Sequence, residues 1–419
     1  MMAAAPDAWK PRNRTLRWIE DRLPIFGFLR EHTVEYYAPK NFNFMYFFGS
    51  LALLLLVNQI VTGIFLAMNF NPTSAGAFAS IEYIMRDVEW GWLIRYMHVT
   101  GASLFFVVIY LHMFRALMYG SYKQPRELLW VIGMLIYLAL MAEAFMGYVL
   151  PWGQMSFWGA KVIISLFGAV PVIGNQLVEW IMGDFLPSGA TLNRFFALHV
   201  IALPLVLLLL VVLHLGALHT SGSNNPDGVE IKQHKGADGK PLDGIPFHPY
   251  YTVKDLVGVG FFLLLAAFII FYQPTFFGLF LEHDNYVPAN SLVTPAAIHP
   301  VWYFTPFYAM LRSVPSKGLG VITLFAAIAV LFFLPWIDRG KVKAMRYRGA
   351  SYKIALAIFA LTFIWLGKIG IGESTWIGDT YIARALTGVY FGFFVFLWAY
   401  TYFGWERTKP VPERVTMHE

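Results

Sequence analysis

Eight long apolar stretches constrain the fold of this chain more than any other feature of its sequence. A helix needs about 20 apolar residues to cross a bilayer. The stretches are 44–68, 92–118, 128–150, 194–218, 255–277, 317–337, 352–370 and 382–404. Charged residues make up only 13% of the 419 residues, against about 25% in ordinary globular proteins. The sequence therefore predicts an all-α polytopic membrane protein with eight transmembrane helices.

The distribution of Lys and Arg predicts the orientation of the chain. Of the 31 basic residues, 23 belong to the N-terminal segment, the second, fourth and sixth connections, the C-terminal tail and the helix ends beside them. Basic connections mark the cytoplasmic side, so both termini are predicted to be cytoplasmic. The apolar segment 156–173 would invert this pattern if it crossed the membrane. We expect it to lie along the outer surface or inside the protein.

Four histidines within the apolar stretches form a regular pattern. His98 and His112 are 14 residues apart on the second stretch, and His199 and His214 are 15 apart on the fourth. Each pair keeps within roughly 60° of one helix face and is separated by about 21–22 Å along the axis. These two stretches run in the same direction, so the first histidines share one depth and the second histidines another. The spacing predicts two tiers of paired imidazoles, each suited to hold one haem iron.

Other kinds of metal site fit these histidines less well than haem does. The chain has no cysteine, which excludes thiolate metal sites, iron–sulfur clusters held by this chain and covalent haem attachment. Each tier offers two nitrogen ligands, whereas structural zinc takes about four ligands. Core histidines bonded to hydroxyl groups remain the alternative for any single position. His219 lies at the end of the fourth stretch. The six remaining histidines fall in loops or tails, where solvation or a local hydrogen bond is expected: His32, His234, His248, His283, His299 and His418.

Glycines and arginines follow the same spacing. Gly49 and Gly63 on the first stretch, and Gly133 and Gly147 on the third, are also 14 residues apart. They could receive the edges of haem groups, or they could allow helices to pack closely. Three cations near the histidines, Arg95, Arg115 and Arg194, could pair with haem propionates, or could anchor the helices at the interface by snorkelling.

Several longer motifs make the chain similar to a known family. They are RYMHVTGASLFFVVIYLHMFR, GYVLPWGQMSFWGA, TLNRFFALHV, GSNNPDG, IPFHPYYTVKD and WYFTPFYAMLRSVP. Together they resemble cytochrome b of the quinol–cytochrome c reductase (bc1) complex over nearly the whole chain. The resemblance implies two non-covalent b-type haems, the low-potential one held by His98 and His199 and the high-potential one by His112 and His214.

The resemblance also implies an activity, a substrate and partners. Quinol, in the usual bacterial case ubiquinol, is oxidised at an outer site and ubiquinone is reduced at a cytoplasmic-side site. One electron passes to a Rieske iron–sulfur subunit and then to cytochrome c1, and the other crosses this chain. The catalytic unit is a homodimer of the complex in the lipid bilayer, and no nucleic-acid partner is expected.

The family motifs place two quinone sites on this sequence. For the outer site they match Tyr148, Pro151, Trp152, Gly153, Phe157, Trp158, Gly159, Pro300, Trp302, Tyr303 and Tyr308. For the inner site they match Ser50, His219, Lys254 and Asp255. A histidine and an aspartate beside a quinone can bond its carbonyl groups and supply protons.

Three departures from the family pattern stand out. The family has Pro-Glu-Trp-Tyr where this chain has Pro300-Val301-Trp302-Tyr303. In the family, the glutamate is assigned to receive a proton from quinol, and valine cannot do so. Glu143 could supply the carboxylate in the outer pocket or its proton exit, or could be a carboxylate bonded to a helix neighbour. His299 and Glu282 are further candidates.

The second departure is the 15-residue step on the fourth stretch, where mitochondrial members have 14. Local helix geometry must absorb the extra residue, which turns a helix by about 100°. With the eight-helix length, this step favours a cytochrome b of the bacterial inner membrane. The third departure is Tyr46 and Phe47, where mitochondrial members often have other residues.

The expected domains follow from these assignments. They are a cytoplasmic segment with an amphipathic helix (1–43), a four-helix haem-binding bundle (44–219), a cytoplasmic loop (220–254), four further spans (255–404) and a cytoplasmic tail (405–419). Two rival interpretations remain: a transporter with histidine proton relays, and a haem scaffold that carries electrons without quinol chemistry. The first would lack b-type haem absorption, and the second would not need the long outer loops.

Overall fold

A computed structural model of the chain describes residues 9–372 and 377–416. The predicted N-terminal segment and C-terminal tail therefore lie partly outside the described residues. The helices are α1 (Arg14–Glu20), α2 (Ile25–Thr33), α3 (Phe47–Ala67), α4 (Ala77–Arg86), α5 (Gly91–Tyr119), α6 (Glu127–Val149), α7 (Gln154–Ser165), α8 (Gly174–Met182), α9 (Gly189–Ala197), α10 (Leu203–Ser221), α11 (Thr252–Tyr272), α12 (Thr305–Ser313), α13 (Lys317–Phe332), α14 (Leu334–Ile337), α15 (Ala350–Ile371) and α16 (Ile377–Tyr402).

The helical membrane fold predicted from the sequence is confirmed. Within the described residues, seven helical segments are long and apolar enough to cross a membrane. The remaining predicted span corresponds to α13, a shorter apolar helix of 16 residues. It is followed after Phe333 by the short helix α14. Pro335 has no backbone N–H and cannot continue the hydrogen-bond ladder of α13, which explains the break.

The fifth span differs from its predicted range at both ends. The apolar stretch 255–277 predicted a helix to residue 277, but α11 begins at Thr252 and ends at Tyr272. Gln273 precedes Pro274 and has a non-helical backbone, with φ −142° and ψ 54°. A residue before proline is sterically disfavoured in the α region, so the helix stops there although the sequence remains apolar.

One turn of π-helix interrupts the fourth span. Leu198–Ala202 forms this turn between α9 and α10, and it contains His199. A π turn accommodates one extra residue in an otherwise α-helical segment. Pro204 lies just beyond it and cannot donate to the carbonyl of Val200. The 15-residue histidine spacing requires a local distortion of the helix, and this distortion is therefore located at His199.

Two helix groups make up the molecule. In the first, α3 packs against α5, α6 packs against α9 and α10, and α11 packs along α3 and α5. In the second, α12 packs against α13, α15 and α16.

The segment 156–173 does not cross the membrane. Helix α7 has only 12 residues, and the residues from Ser156 to Ala160 are buried within the protein. It continues through a short 3₁₀ turn, Leu166–Ala169.

A layer of loops covers the end of the bundle that carries Lys123 and Arg348, which we call the basic end. Strand β1 (Tyr37–Pro39) pairs antiparallel with β2 (Gly244–Pro246), so the N-terminal segment is joined to the loop after α10. Asp338 lies in a fully buried ion network, with Arg348 Nη1 at 2.6 Å and Lys123 Nζ at 2.8 Å. These contacts join connections that are distant in sequence.

Candidate haem and quinone sites

The four histidines of the apolar spans meet in two pairs. The ring centroids of His98 and His199 are 6.2 Å apart, and those of His112 and His214 are 6.5 Å apart. An imidazole nitrogen binds a transition metal at about 2.0 Å, so two imidazoles on opposite sides of one metal place their centroids about 6 Å apart. The two pairs, here the outer tier (His98, His199) and the inner tier (His112, His214), have this separation.

Hydrogen bonds set the tautomers of the outer tier. The Thr62 hydroxyl donates to the carbonyl of Asn58 at 2.6 Å, so it accepts from His98 Nδ1, which lies 2.9 Å away. The carbonyl of Glu143 lies 2.9 Å from His199 Nδ1 and can only accept. Both Nδ1 atoms therefore carry the proton, and each Nε2 keeps a lone pair available for a metal.

Each of the four spaced glycines lies against one of these imidazoles. A Cβ atom placed on Gly147 would be 2.5 Å from His199 Cε1, and one on Gly63 would be 3.2 Å from His98 Cε1. At Gly133 the distance to His214 Cε1 is 3.2 Å, and at Gly49 the distance to His112 Cε1 is 3.7 Å. A side chain at Gly147 would therefore displace His199, side chains at Gly63 and Gly133 would crowd their imidazoles, and the contact at Gly49 is an ordinary van der Waals distance.

The inner tier borders a cavity of 710 Å³ that extends toward the basic end. Four buried polar atoms beside this cavity have no hydrogen-bond partner among the described residues: Tyr46 Oη, Arg115 Nε, His214 Nδ1 and Asn224 Oδ1. Arg115 Nη2 lies 3.3 Å from His112 Nδ1. A flat group with acidic substituents, which haem is, would fit a cavity with an unpaired guanidinium nitrogen and a free phenol at its edge.

The predicted inner quinone residues line the same cavity. Ser50 donates a hydrogen bond to Asp255, with 2.5 Å between Oγ and Oδ2. His219 stacks between two rings that the sequence did not single out, Tyr36 at 4.5 Å and His32 at 5.0 Å. Lys254 also lines the cavity. His32 is one of the histidines predicted to lie in loops, because nothing local in the sequence shows that strand pairing brings its segment to α10.

A second cavity of 1310 Å³ lies at the opposite end of the bundle, and Gly159, Pro300 and Tyr308 line it. The other predicted outer residues do not line it. Trp302 donates from Nε1 to Ser103 at 3.3 Å, and Tyr303 stacks on Phe106 at 3.9 Å. Phe157 packs with Trp152 and Trp158 in a separate buried cluster, and Pro151 and Gly153 belong to the turn before α7.

Neither Glu143 nor Glu282 lines the outer cavity, but Glu282 contacts a residue that does. The Tyr148 hydroxyl donates to Glu282, and His299, which lines the cavity, places Nδ1 3.5 Å from the same carboxylate. Burial raises the pKa of Glu282, opposed by the hydrogen bond from Tyr148 and the charge of His299. Val301 is buried in the apolar core.

Glu143 lies elsewhere, on the imidazole of His199, with Oε1 3.0 Å from Nδ1. The alternative of a carboxylate bonded to a helix neighbour thus describes it better than a place in the pocket.

The two predicted outer arginines differ in exposure. Arg95 is buried, whereas Arg194 is exposed and donates to the carbonyl of Trp180. Within the described part of the chain, no group of three or more His, Asp or Glu side chains could hold a metal ion.

Two protein-family models match most of this chain. Residues 33–222 match the family described as Cytochrome b/b6/petB, and residues 288–391 match Cytochrome b(C-terminal)/b6/petD. The helical fold and the paired histidines thus define a membrane protein of the cytochrome b/b6 class.

Individual relatives are more specific. Cytochrome b of Allochromatium vinosum is 57% identical over 415 residues, covering 97% of this chain and 99% of that protein. Cytochrome b of Rickettsia bellii is 51% identical, covering 96% and 97%. A solved structure titled "Hyperthermophilic respiratory Complex III" matches with a TM-score of 0.86 and 36% identity, covering 92% of this chain and 98% of that one. The chain belongs to the cytochrome b family and is of the bacterial bc1 type.

Proposed function

We propose that this chain is the catalytic cytochrome b subunit of a quinol–cytochrome c reductase, with one b-type haem in each histidine tier. The observation that carries the proposal is the pair of imidazole separations, 6.2 and 6.5 Å. Bound haem supplies one-electron transfer chemistry. His98 and His199 would hold the outer, low-potential group, and His112 and His214 would hold the inner, high-potential group. Arg115 and Tyr46 would bind the acidic substituents of the inner one.

Quinol oxidation takes place in the outer cavity beside Glu282. A quinol loses two electrons and two protons when it becomes a quinone. Glu282, held by Tyr148 and His299, accepts one proton, which replaces the role of the family glutamate at the position of Val301. One electron leaves for a Rieske iron–sulfur subunit and cytochrome c1, and the second proton is released on the outer side. The other electron crosses this chain toward the inner cavity.

Quinone reduction takes place at the basic end of the inner cavity. The Ser50–Asp255 pair and His219 line the wall there, and they can donate hydrogen bonds and protons to the quinone oxygens. Each oxidation at the outer site sends one electron across the chain, so two oxidations there complete the reduction of one quinone at the inner site. Because the two sites are at opposite ends of the bundle, this cycle moves protons across the membrane.

The partners and location follow from the family and the charge pattern. We propose that the chain works in a homodimeric complex in the bacterial inner membrane, with both termini in the cytoplasm and ubiquinone as substrate. One relative of Bradyrhizobium diazoefficiens, named "Cytochrome b/c1", is 49% identical over 393 residues, which are 94% of this chain and 55% of that protein. That name joins cytochrome b to a cytochrome c1 partner.

The test is a reduced-minus-oxidised spectrum of the purified complex and of two variants. The wild-type complex should show two b-type haems of different potential. His199→Asn should lose the outer haem and His214→Asn the inner one, because each tier has two protein ligands. A colourless chain, or a variant that keeps both haems, contradicts the proposal. Haems without inhibitor-sensitive quinol oxidation would instead favour an electron-carrying scaffold.

A further inference from the structure

Glu143 makes a contact that quinol chemistry does not use. Its side chain lies within the α6 span, and only 16% of it is exposed. Carboxylate Oε1 is 3.0 Å from His199 Nδ1, and the backbone carbonyl of the same residue is 2.9 Å from that atom. The imidazole N–H is therefore shared between two acceptors of one residue. Oε2 is buried and has no hydrogen-bond partner within residues 9–372 and 377–416.

The environment favours a specific electrostatic role for this carboxylate. An ionised group inside a membrane span is costly unless it is compensated by a partner. The partner in this chain is the N–H of an imidazole whose other nitrogen is free for a metal. A carboxylate that accepts from a metal-bound histidine makes that histidine a more basic ligand and stabilises the higher oxidation state.

The other three imidazoles lack this arrangement in the part of the chain that the structure describes. His98, across the outer tier, donates to the neutral hydroxyl of Thr62. His112, in the inner tier, has the cation Arg115 beside its Nδ1. A nearby positive charge favours the reduced, less positive iron, whereas a negative charge favours the oxidised iron. The two tiers thus carry opposite charges next to their histidines.

We propose that Glu143 is a positioning residue that orients His199 and lowers the reduction potential of the outer haem. This inference rests on the proposed haem ligation by His199. Together with Arg115 beside the inner tier, the carboxylate widens the potential difference between the two haems. Electron transfer from the outer to the inner tier is downhill for that reason. The carboxylate is accounted for without any role in the quinol pocket.

The test is a redox titration of the purified whole complex, followed at the absorption bands of the b haems. In Glu143→Gln the side chain keeps its size and loses its charge. The reduced-to-oxidised ratio of the outer haem at a fixed ambient potential should rise about tenfold, which is 59 mV for one electron. The inner haem should not shift. Glu179→Gln is the matched control, because Glu179 is exposed on α8, and its outer potential should equal that of wild type.

The outcomes separate this inference from the proposed function. A wild-type complex without b haem contradicts the proposed function itself. A Glu143→Gln complex with both haems and an unchanged outer potential overturns the inference alone. If that variant retains too little outer haem to titrate, Glu143→Asp replaces it. The shorter arm lengthens the contact to His199, so a potential equal to that of wild type would also contradict the proposal.

Discussion

The hydroxyl of Tyr148, at the end of α6, donates a hydrogen bond to the carboxylate of Glu282, 134 residues further along the chain. His299 approaches the same carboxylate from the other side, with 3.5 Å between Nδ1 and Oε1. His299 lines the outer cavity, and Tyr148 lies against Gly159, which also lines it. The contact places a carboxyl group behind the cavity wall, in a chain that has Val301 where the family motif has glutamate.

Glu282→Gln should slow quinol oxidation by about 10²-fold, the lower end of the contribution expected of a general base. Burial raises the pKa of Glu282, and the group accepts a proton only when ionised. The wild-type rate should therefore rise with pH through this raised pKa, and the Gln variant should lose that rise. Steady-state quinol oxidation measured against pH tests this. Glu179→Gln serves as the control, and an unchanged pH profile in the Glu282 variant would exclude the role.

Gly147→Ala should remove the outer haem and leave the inner one. The added Cβ would lie 2.5 Å from His199 Cε1, too close for van der Waals contact, and would displace the imidazole. The haem content, measured from reduced-minus-oxidised spectra, checks this expectation. Gly216→Ala on α10 is the matched control, because no atom of the described chain, apart from the surrounding helix backbone, lies within 4 Å of the Cβ position there. Normal outer haem in the Gly147 variant would show that the imidazole can move without losing its pair.

Asp255→Asn should slow quinone reduction at the inner site and leave both haems in place. The Asp255 carboxylate accepts from Ser50 at the cavity wall, and an amide cannot supply a proton to the quinone. Re-oxidation of the inner haem by added quinone, followed after rapid reduction, measures the step. The control is Asp238→Asn in the exposed loop. Equal rates in the two variants would assign proton supply to another group.

Asp338→Asn should destabilise the complex by about 3–5 kcal/mol, as expected when one partner of a buried ion pair is removed. The side chains of Asp338 and Arg348 are both fully buried, and Glu406 accepts from Arg348 Nε at 2.7 Å. Thermal denaturation of the detergent-solubilised complex measures the loss. Because Asp238 is exposed, Asp238→Asn should change stability by less than about 0.5 kcal/mol. Similar losses in both would contradict the role of burial.

Asp243 should make the C-terminal tail sensitive to acid. Hydrogen bonds from Arg414, and further contacts from Lys40 and Val415 N–H, hold the pKa of Asp243 below its ordinary value. A lowered folded-state pKa stabilises the fold above the unfolded pKa of about 3.9, and that contribution is lost as the pH falls toward the folded value. Asp243→Asn should expose the tail to protease at neutral pH, where the wild-type tail is protected. Equal cleavage rates would rule out this clamp.

Much of the membrane fold could be predicted because its signals are local or periodic. The apolar stretches and the histidine spacing follow from helix geometry alone, and seven long helices and the paired imidazoles agree with them. The stop of α11 at Gln273 was missed because apolarity continues past Pro274. Strand pairing brings His32 to His219, which depends on contacts between segments almost 190 residues apart.

The sequence by itself determined the spans, the two depths of the histidines and the need for a distortion near the fourth span, since each depends on a repeat within one helix. Only the tertiary structure decided which carboxylate serves which site. In the sequence, Glu143 and Glu282 are equally plausible as the carboxylate of the outer pocket. A side chain, however, acts only on groups that lie within a few ångströms of it. The packing of α6 on the π turn turns Glu143 toward His199, and the loop after α11 carries Glu282 to Tyr148.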